Sequence, residues 1–208
     1  MRAADGAIEG VKIDADGVEL QVIGDVDPKG LCGSGLVDCV AELVKVELVD
    51  HSGRFVPDER VEELYPKLSE RFTKVGEERV FTLSEGVFLS QRDVRELQFA
   101  KASIATGWRI LLSELGVEPE DIQQVLLAGS FGAYLSPASA VRIGLVPRLA
   151  LPRIVSAGNV AGEGAKIVAL SHRERAEARS IVREVEYVEL SGRADFNDMF
   201  VDQLAFPG

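Results

Sequence analysis

The stretch QVLLAGSFGAYLSPASAVRIGLVP, residues 124–147, decides the fold. Its first five residues form a short apolar run of the kind found in buried strands, and GSFG then turns the chain sharply. Ser136 follows as a helix cap, with Pro137 at the first helical position and Gly144 after the last turn. The stretch therefore predicts a buried strand, a glycine turn and a short helix in succession.

The same order recurs on both sides of this stretch. Downstream, residues 153–157 predict a strand, the dipeptide GN a turn, and residues 160–171 a helix. Upstream, apolar residues alternate across a D-A-D-G turn within residues 11–22, which predicts a hairpin, and the glycine-rich segment 24–35 leads into a helix. The repeated order predicts an α/β protein with a mixed sheet flanked by helices.

A long helix is the clearest single element of the sequence. Ser90 can cap it, Asp93 stands in the capping-box position, and Gly116 can end it. Its core-facing side is expected to comprise Val94, Leu97, Ile104, Ala105, Trp108, Leu111, Leu112 and Leu115. Trp108 is interpreted as a packing residue of this face rather than as a ligand-stacking one.

Three other segments have simpler patterns. Residues 79–83 and 87–89 predict a pair of short strands before the long helix. Residues 50–78 are polar and contain two prolines, which predicts a surface excursion with at most short helices. Near the end, residues 173–184 predict a charged helix and residues 186–190 a strand.

Charge and hydropathy exclude several classes of protein. Against 23 Lys and Arg stand 34 Asp and Glu, a net charge of −11, and the cations are scattered among the acids. Such a chain repels phosphate polymers, so nucleic acid is not expected as a partner. The apolar runs are shorter than the ~20 residues that a membrane helix needs, and the first residues do not resemble a secretory signal. A cytoplasmic protein without a membrane partner is expected.

Cys32 and Cys39 are expected to be small buried packing residues. A loop and the start of a helix separate them, which exceeds the reach of a disulfide, roughly 7 Å between Cα atoms. Neither cysteine has a His or a second Cys at metal-ligand spacing. No metal site is therefore expected in this chain.

Glycine turns at the ends of buried strands can bind nucleotides. Glycine lets the backbone approach a ligand closely, and the start of the following helix presents N–H groups to anionic oxygens. Neither G-x-x-x-x-G-K-[ST] nor G-x-G-x-x-G occurs in the sequence. Each turn alone is more often a plain turn, but three of them in one α/β chain favour a nucleotide site.

Five stretches together resemble one known family. They are MRAADGAIE (1–9), GLCGSGLVD (30–38), LLAGSFGAYLSPASAVRIGLVP (126–147), SAGNVAGEGAKIVALS (156–171) and FNDMFVDQLAFP (196–207). In this order and spacing they are similar to the C-terminal ATPase region of the reductive activators of corrinoid proteins. These activators are ferredoxin-like proteins of corrinoid methyltransferase systems, in the superfamily of actin and the acetate and sugar kinases. The resemblance extends over essentially the whole chain.

The resemblance implies a fold and an activity. Residues 1–208 would form the second-lobe portion of an actin-like, acetate and sugar kinase-type domain, a fragment of a two-lobed ATPase. The parent protein would use ATP with magnesium to return the cobalt of a corrinoid methyltransferase protein from Co(II) to Co(I). The iron–sulfur cluster and the dimerising region of the family would lie outside these residues, and the corrinoid protein would be the partner.

The resemblance also implies site residues. Gly129, Ser130, Phe131 and Gly132 match the adenosine loop, and Gly158 and Asn159, with Gly162 and Gly164, match the second connecting motif. A further loop that could flank the nucleotide comprises Gly30, Cys32, Gly33, Ser34 and Gly35. No catalytic residue is assigned, since a D-x-G-[ST] phosphate loop is absent from the sequence. Glu42 and Glu163 are interpreted as members of solvated helix faces.

Two other functions remain open at this point. A small-molecule kinase of the same superfamily would share the adenosine loop but would need phosphate loops and an acidic base. A non-enzymatic docking module for a corrinoid protein would use the glycine turns only for structure. The isolated chain is expected to bind nucleotide weakly and not to hydrolyse it.

Overall fold

The computed structural model describes residues 1–190 and 192–208, and of Ser130 only the backbone. The strands are β1 (Ala7–Asp14), β2 (Gly17–Val22), β3 (Gly30–Leu31), β4 (Phe72–Val75), β5 (Glu78–Ser84), β6 (Val87–Ser90), β7 (Val125–Ala128) and β8 (Ile154–Gly158). The helices are α1 (Gly33–Lys45), α2 (Asp58–Leu64), α3 (Pro66–Ser69), α4 (Gln91–Leu115), α5 (Gly129–Tyr134), α6 (Pro137–Arg142), α7 (Val160–Leu170), α8 (His172–Glu184) and α9 (Phe196–Asp202).

The strands form small sheets with both parallel and antiparallel pairs. The first sheet has the order β2-β1-β3, with β1 antiparallel to β2 and parallel to β3. The predicted hairpin is confirmed, and Val11 lies opposite Leu20 in it. Strands β4, β5 and β6 form an antiparallel sheet, whereas β7 and β8 pair in parallel. The mixed α/β architecture with flanking helices is the one that the sequence predicted.

The main core forms where α1 packs on β1. Ile8, Val37, Val40 and Leu43 are completely or almost completely buried there. Gly35 makes this contact possible, because a Cβ atom at position 35 would lie only 2.0 Å from the carbonyl oxygen of Ile8. The helix therefore lies as close to the strand as backbone atoms permit, which fixes the position of its N-terminus.

The ends of α4 follow the sequence prediction. The Ser90 hydroxyl accepts a hydrogen bond from the Asp93 N–H at 3.1 Å, and the Asp93 carboxylate accepts one from the Ser90 N–H at 2.8 Å. Gly116 follows the helix in the left-handed conformation, with φ at 61°. The predicted capping box and glycine stop are confirmed.

The predicted apolar face of α4 is wrong in its C-terminal half. Ile104, Leu111 and Leu115 are 52%, 46% and 73% exposed, whereas polar Gln98 and Lys101 are buried. The buried face of the helix meets backbone carbonyls of the chain's closing segment, which need donors. The Gln98 amide donates to the Leu204 carbonyl at 2.8 Å, and the Lys101 ammonium donates to the Ala205 carbonyl. Polar side chains thus occupy positions that periodicity alone assigns to apolar ones.

The strand predicted at residues 186–190 is also wrong. Helix α8 ends at Glu184, and the chain then runs without strand structure to residue 190. Val185 and Tyr187 are 70% and 83% exposed, and no strand of the described residues pairs with this segment. An alternating pattern forms a strand only where a neighbouring strand offers hydrogen bonds.

The C-terminal modules leave apolar side chains exposed. Of the described residues, none in α7 or α8 is buried. The exposed apolar residues of this region are Leu126, Val155, Val160, Ile167, Leu170, Ile181, Val182, Val185 and Tyr187. We call them the α7–α8 apolar face. Most of these side chains belong to α7, to α8 or to the segment that follows α8.

Within the part of the chain that the structure describes, no helix is both long enough and apolar enough to cross a membrane.

A pair of glycine substitutions tests the packing of α1 on β1. Gly35→Ala is expected to destabilise the protein by more than about 3 kcal/mol, because α1 must move away from β1. Gly164→Ala in α7 meets no atom within 4 Å. The second variant should stabilise the protein by about 0.5–1 kcal/mol through its higher helix propensity. Urea unfolding measures both, and equal stability of the two variants would contradict the packing argument.

Candidate functional site

Two glycine turns lie side by side at one edge of the β7-β8 sheet. In the parallel register, Ala128 is the partner of Gly158, so both strands end at the same level. Gly129 and Gly158 have φ angles of 85° and 63°, a left-handed conformation that favours glycine. Helices α5 and α7 begin directly after these turns. In α/β sheets, the carboxyl ends of parallel strands are the usual place for ligands.

The two turns leave space in front of the sheet edge. A Cβ atom at Gly129 or at Gly158 would meet no atom within 4 Å, so packing does not account for either glycine. Gly132 differs, because its Cβ would lie 2.8 Å from the carbonyl carbon of Leu127. Gly132 therefore lets α5 lie against β7, whereas Gly129 and Gly158 serve the turns themselves.

Asn159 caps the helix that follows the second turn. Its side-chain oxygen accepts a hydrogen bond from the Gly162 N–H at 3.0 Å. A Cβ atom at Gly162 would lie 2.6 Å from the Asn159 amide nitrogen, so the glycine accommodates the cap. Asn159 and Gly162 therefore act together to fix the start of α7.

Phe131 connects the glycine loop before α1, residues 30–35, to this edge. A Cβ atom at Gly33 would lie 2.8 Å from the Phe131 ring, so ring and glycine are in direct contact. The ring itself is 47% exposed. Gly33 is the first residue of α1, and the N-termini of α1 and α5 are thus close together. The structure describes the whole predicted adenosine loop, residues 129–132, except the side chain of Ser130.

Other residues of the first loop face inward. Ser34 is 5% exposed, and its hydroxyl lies 3.2 Å from the Cys32 sulfur, which also contacts the Ile8 carbonyl oxygen at 3.3 Å. Gly30 lies in β3, where its Cβ position is 3.1 Å from the sulfur of Met1. A cavity of about 490 Å³ adjoins Gly30, Cys32 and Gly33. Of this loop, the structure brings Gly33 to the sheet edge and packs Ser34 and Gly35 against β1.

Both cysteines are free and buried, as the sequence predicted. Burial raises the pKa of the Cys39 thiol far above its ordinary value, with nearby Asp38 adding to the effect. A thiol of this kind is a packing residue and not a nucleophile.

Glu42 is not the solvated residue that the sequence predicted. It is 8% exposed and lies between α1, β1 and α6. Its carboxylate accepts hydrogen bonds from the Ile13 N–H at 3.0 Å, from Lys45 at 2.8 Å and from Arg142 at 3.3 Å. A carboxylate can be buried in this position because all three donors come from elements that meet there. Glu163, in contrast, is exposed and pairs with Lys166 at 2.7 Å, as predicted.

Asp38 lies one helical turn before Glu42. Burial raises the pKa of its carboxyl group, while hydrogen bonds from Ser139 and the Val11 backbone act in the opposite direction. One of its oxygens has no hydrogen-bond partner among the described residues. Asp38 and Glu42 place two carboxyl groups between α1 and α6, away from the glycine turns.

The paired glycine turns and the Phe131 ring define a class of protein. Parallel strands end together in left-handed glycine turns that start helices, and an exposed aromatic ring lies beside them. These features define an α/β domain with two glycine turns paired at one sheet edge. The chain belongs to the family described as the C-terminal domain of RACo, the ASKHA domain, whose model matches residues 1–208. The family resemblance predicted from the sequence is confirmed.

Similar proteins act on corrinoid proteins, by their names. The chain is 31% identical over 214 residues to the corrinoid activation enzyme RamQ of Eubacterium limosum, covering 99% of this chain and 36% of that protein. It is 25% identical over 141 residues to the [Co(II) methylated amine-specific corrinoid protein] reductase of Methanosarcina barkeri, covering 67% of this chain and 26% of that protein.

A solved structure has the same fold. The reductive activator for corrinoid, iron–sulfur protein matches with a TM-score of 0.83 and 33% identity, over 100% of this chain and 33% of that one. The chain spans about a third of the length of the relatives that it matches.

The Glu42 cluster generates a stability prediction. Glu42→Ala leaves the Ile13 N–H and the Arg142 guanidinium without their acceptor, which should cost about 2–4 kcal/mol of unfolding free energy. Glu163→Ala removes an exposed carboxylate and should cost at most about 0.5 kcal/mol. Urea unfolding of the two variants measures the difference. Similar values for both would show that Glu42 behaves as a surface residue.

Proposed function

We propose that this chain is the adenosine-binding part of an ATP-dependent reductive activator of corrinoid proteins. The observation that carries the proposal is the pairing of Ala128 with Gly158, which sets two left-handed glycine turns at one sheet edge. Membership of the family and similarity to named corrinoid activators give the reaction class. The parent protein returns the cobalt of its corrinoid partner from Co(II) to Co(I), a one-electron reduction.

The residues of the sheet edge suit an adenosine group. Backbone N–H groups after Gly129 and Gly158 can approach a polar ligand closely, and the exposed Phe131 ring offers an apolar surface beside them. In this proposal Gly132 and Asn159 hold the two helices in place, and the backbone of Ser130 completes the first turn. Of the residues Gly30, Gly33, Ser34 and Gly35, Gly33 flanks the nucleotide through its contact with Phe131, whereas Ser34 and Gly35 hold the loop against β1.

ATP with magnesium would supply the free energy for an unfavourable electron transfer. Nucleotide binding can drive such a step only if it favours one of two conformations of the activator. The described residues of this chain contain no cluster of three or more His, Cys, Asp or Glu suited to a metal ion. In this proposal the chain holds and orients the nucleoside, and no magnesium ligand is assigned to it.

The remainder of the activator has a surface to pack against. The α7–α8 apolar face is adjacent to the glycine edge, since α7 begins at the second turn. The chain spans about a third of its relatives, which leaves most of such a protein to cover this face. We propose that the iron–sulfur cluster and the dimerising region belong to that remainder, and that the activator acts in the cytoplasm.

Calorimetric titration with ATP and ADP tests the nucleotide site. Binding by the 208-residue chain is expected to be weak and to be lost in Gly129→Val, because a β-branched residue cannot adopt φ near 85° without strain. Gly76→Val is the matched control, since Gly76 also has positive φ and open space but lies between β4 and β5. Loss of binding in both variants, or in neither, would contradict the assignment.

A chimera tests the reaction itself. Residues 1–208 replace the matching segment of the Eubacterium limosum enzyme, and the absorption spectrum of that enzyme's corrinoid partner reports Co(II) and Co(I). With ATP and a low-potential electron donor the chimera should produce Co(I), and Gly129→Val should slow the reaction by roughly a hundredfold, the effect of about 3 kcal/mol. Gly76→Val should not slow it.

The chimera experiment also distinguishes the proposed function from that of a non-enzymatic docking module. A module that only binds the corrinoid protein would give complexes that do not depend on nucleotide, and Gly129→Val would leave the rate unchanged. That outcome would replace the proposed ATP-binding role by a structural role of the glycine turns.

A further inference from the structure

A second cavity lies away from the glycine edge. It measures about 810 Å³ and is bounded by the end of α1, the middle of α4, the turn after α6 and the closing segment 202–208. The glycine turns of the candidate nucleotide site do not line it. Its size is within the range of small-molecule sites, roughly 300–1,000 Å³.

The wall of this cavity is basic although the chain is acidic. Five cationic side chains line it, while Asp202 contributes the carboxylate side chain of the wall. The cations are Lys45, Lys101, Arg109, Arg142 and Arg148. In a protein with a net charge of −11, this concentration of positive charge requires a reason.

Two of these cations share one carboxylate, and the other three have none within the part of the chain that the structure describes. Glu42 pairs with Lys45 and with Arg142. Among the described residues, no carboxylate forms an ion pair with Lys101, Arg109 or Arg148. Lys101 is 1% exposed, and the Ala205 carbonyl is its hydrogen-bond acceptor. Burial, together with the nearby charge of Arg109, lowers the pKa of Lys101 to about 8. The Phe206 ring, whose centre lies 5.4 Å from the Lys101 ammonium, offsets part of the cost of burying this cation. An anion in the cavity would offset more of it.

Trp108 supplies an independent observation. It lines the cavity, and its indole nitrogen is buried without a hydrogen-bond acceptor among the described residues. The Arg109 guanidinium lies 4.9 Å from the centre of the Trp108 ring. The Trp108 ring therefore marks the part of the wall in which the unpaired Arg109 lies.

We propose that this cavity binds a small, multiply charged oxyanion, a phosphate or a polycarboxylate, through Arg109 and Arg148, with the positive charge of the buried Lys101 in the same wall. Valines, Pro147 and Phe206 form the rest of the wall and would contact the uncharged part of an organic ligand. The site is separate from the proposed adenosine site and does not depend on it.

The fluorescence of Trp108 gives a direct test. Trp108 is the one tryptophan of the sequence, so its emission reports this cavity without labelling. The 208-residue chain is titrated with pyrophosphate and, separately, with citrate, while sodium chloride keeps the ionic strength constant. A saturable change in emission is expected with at least one probe. Tighter binding of pyrophosphate would identify a phosphate ligand, and tighter binding of citrate a polycarboxylate.

Variants of exposed arginines locate the binding. Arg148→Gln should weaken binding of the preferred probe roughly tenfold, as expected for one charge-assisted contact. Arg109→Gln should weaken it similarly, measured by calorimetry because Arg109 itself contacts the indole. Arg173→Gln, an exposed cation of α8, is the matched control and should change affinity less than about twofold. Gly129→Val should leave the response unchanged.

Two results would overturn the proposal directly, and a third would move the probe to the nucleotide edge. One is the absence of a saturable change, in both emission and heat, up to about 10 mM of either probe, a concentration that detects even millimolar affinity. The other is equal weakening by Arg148→Gln and Arg173→Gln, which would show a general effect of net charge. If the response disappeared in Gly129→Val, the probe would be bound at the nucleotide edge instead.

Discussion

The parallel register of β7 and β8 is the constraint on which the candidate site depends. It sets Ala128 opposite Gly158, so that the two strands end together and both following turns face the same space. A shift of the register would separate the turns, because each residue of a strand advances the chain by about 3.3 Å. Gly132 then holds α5 against β7, and Phe131 reaches the first residue of α1. The Phe131 ring thus connects the loop before α1 to the turns at Gly129 and Gly158.

Elements that depend on neighbouring residues could be predicted from the sequence. The Ser90 and Asp93 capping box, the Gly116 stop and the cap at Ser136 all rest on contacts within a few positions. The prediction of a strand at residues 186–190 was wrong because a strand needs a partner strand from elsewhere in the chain, which neighbouring residues do not reveal. The glycine turns were visible as patterns, but their meeting at one edge follows from strand pairing, which the sequence does not display.

Buried polar residues were the least predictable part of the molecule. By their polarity Glu42, Gln98 and Lys101 are expected at the surface, yet each is buried with a hydrogen-bond partner. Glu42 meets donors from β1 and α6, and Gln98 and Lys101 meet carbonyls of the closing segment, more than a hundred residues away. Such partners come together only in the folded chain. Burial without them would cost several kcal/mol, roughly 2–7 for an unpaired polar group, so the tertiary contacts decide these positions.

The distribution of charge follows the same logic. Along the sequence, the cations of the second cavity are spread from position 45 to position 148 and are separated by acids, which is why the chain resembles a uniformly acidic protein. The packing of α1, α4 and α6 around the closing segment collects them on one wall. Like charges at this spacing repel each other, and Glu42 offsets that repulsion for only two of the five. The Lys101 ammonium is buried against the Ala205 carbonyl and beside the Phe206 ring, both of which are neutral. The proposed anion would supply the negative charge that the described residues do not place beside Lys101.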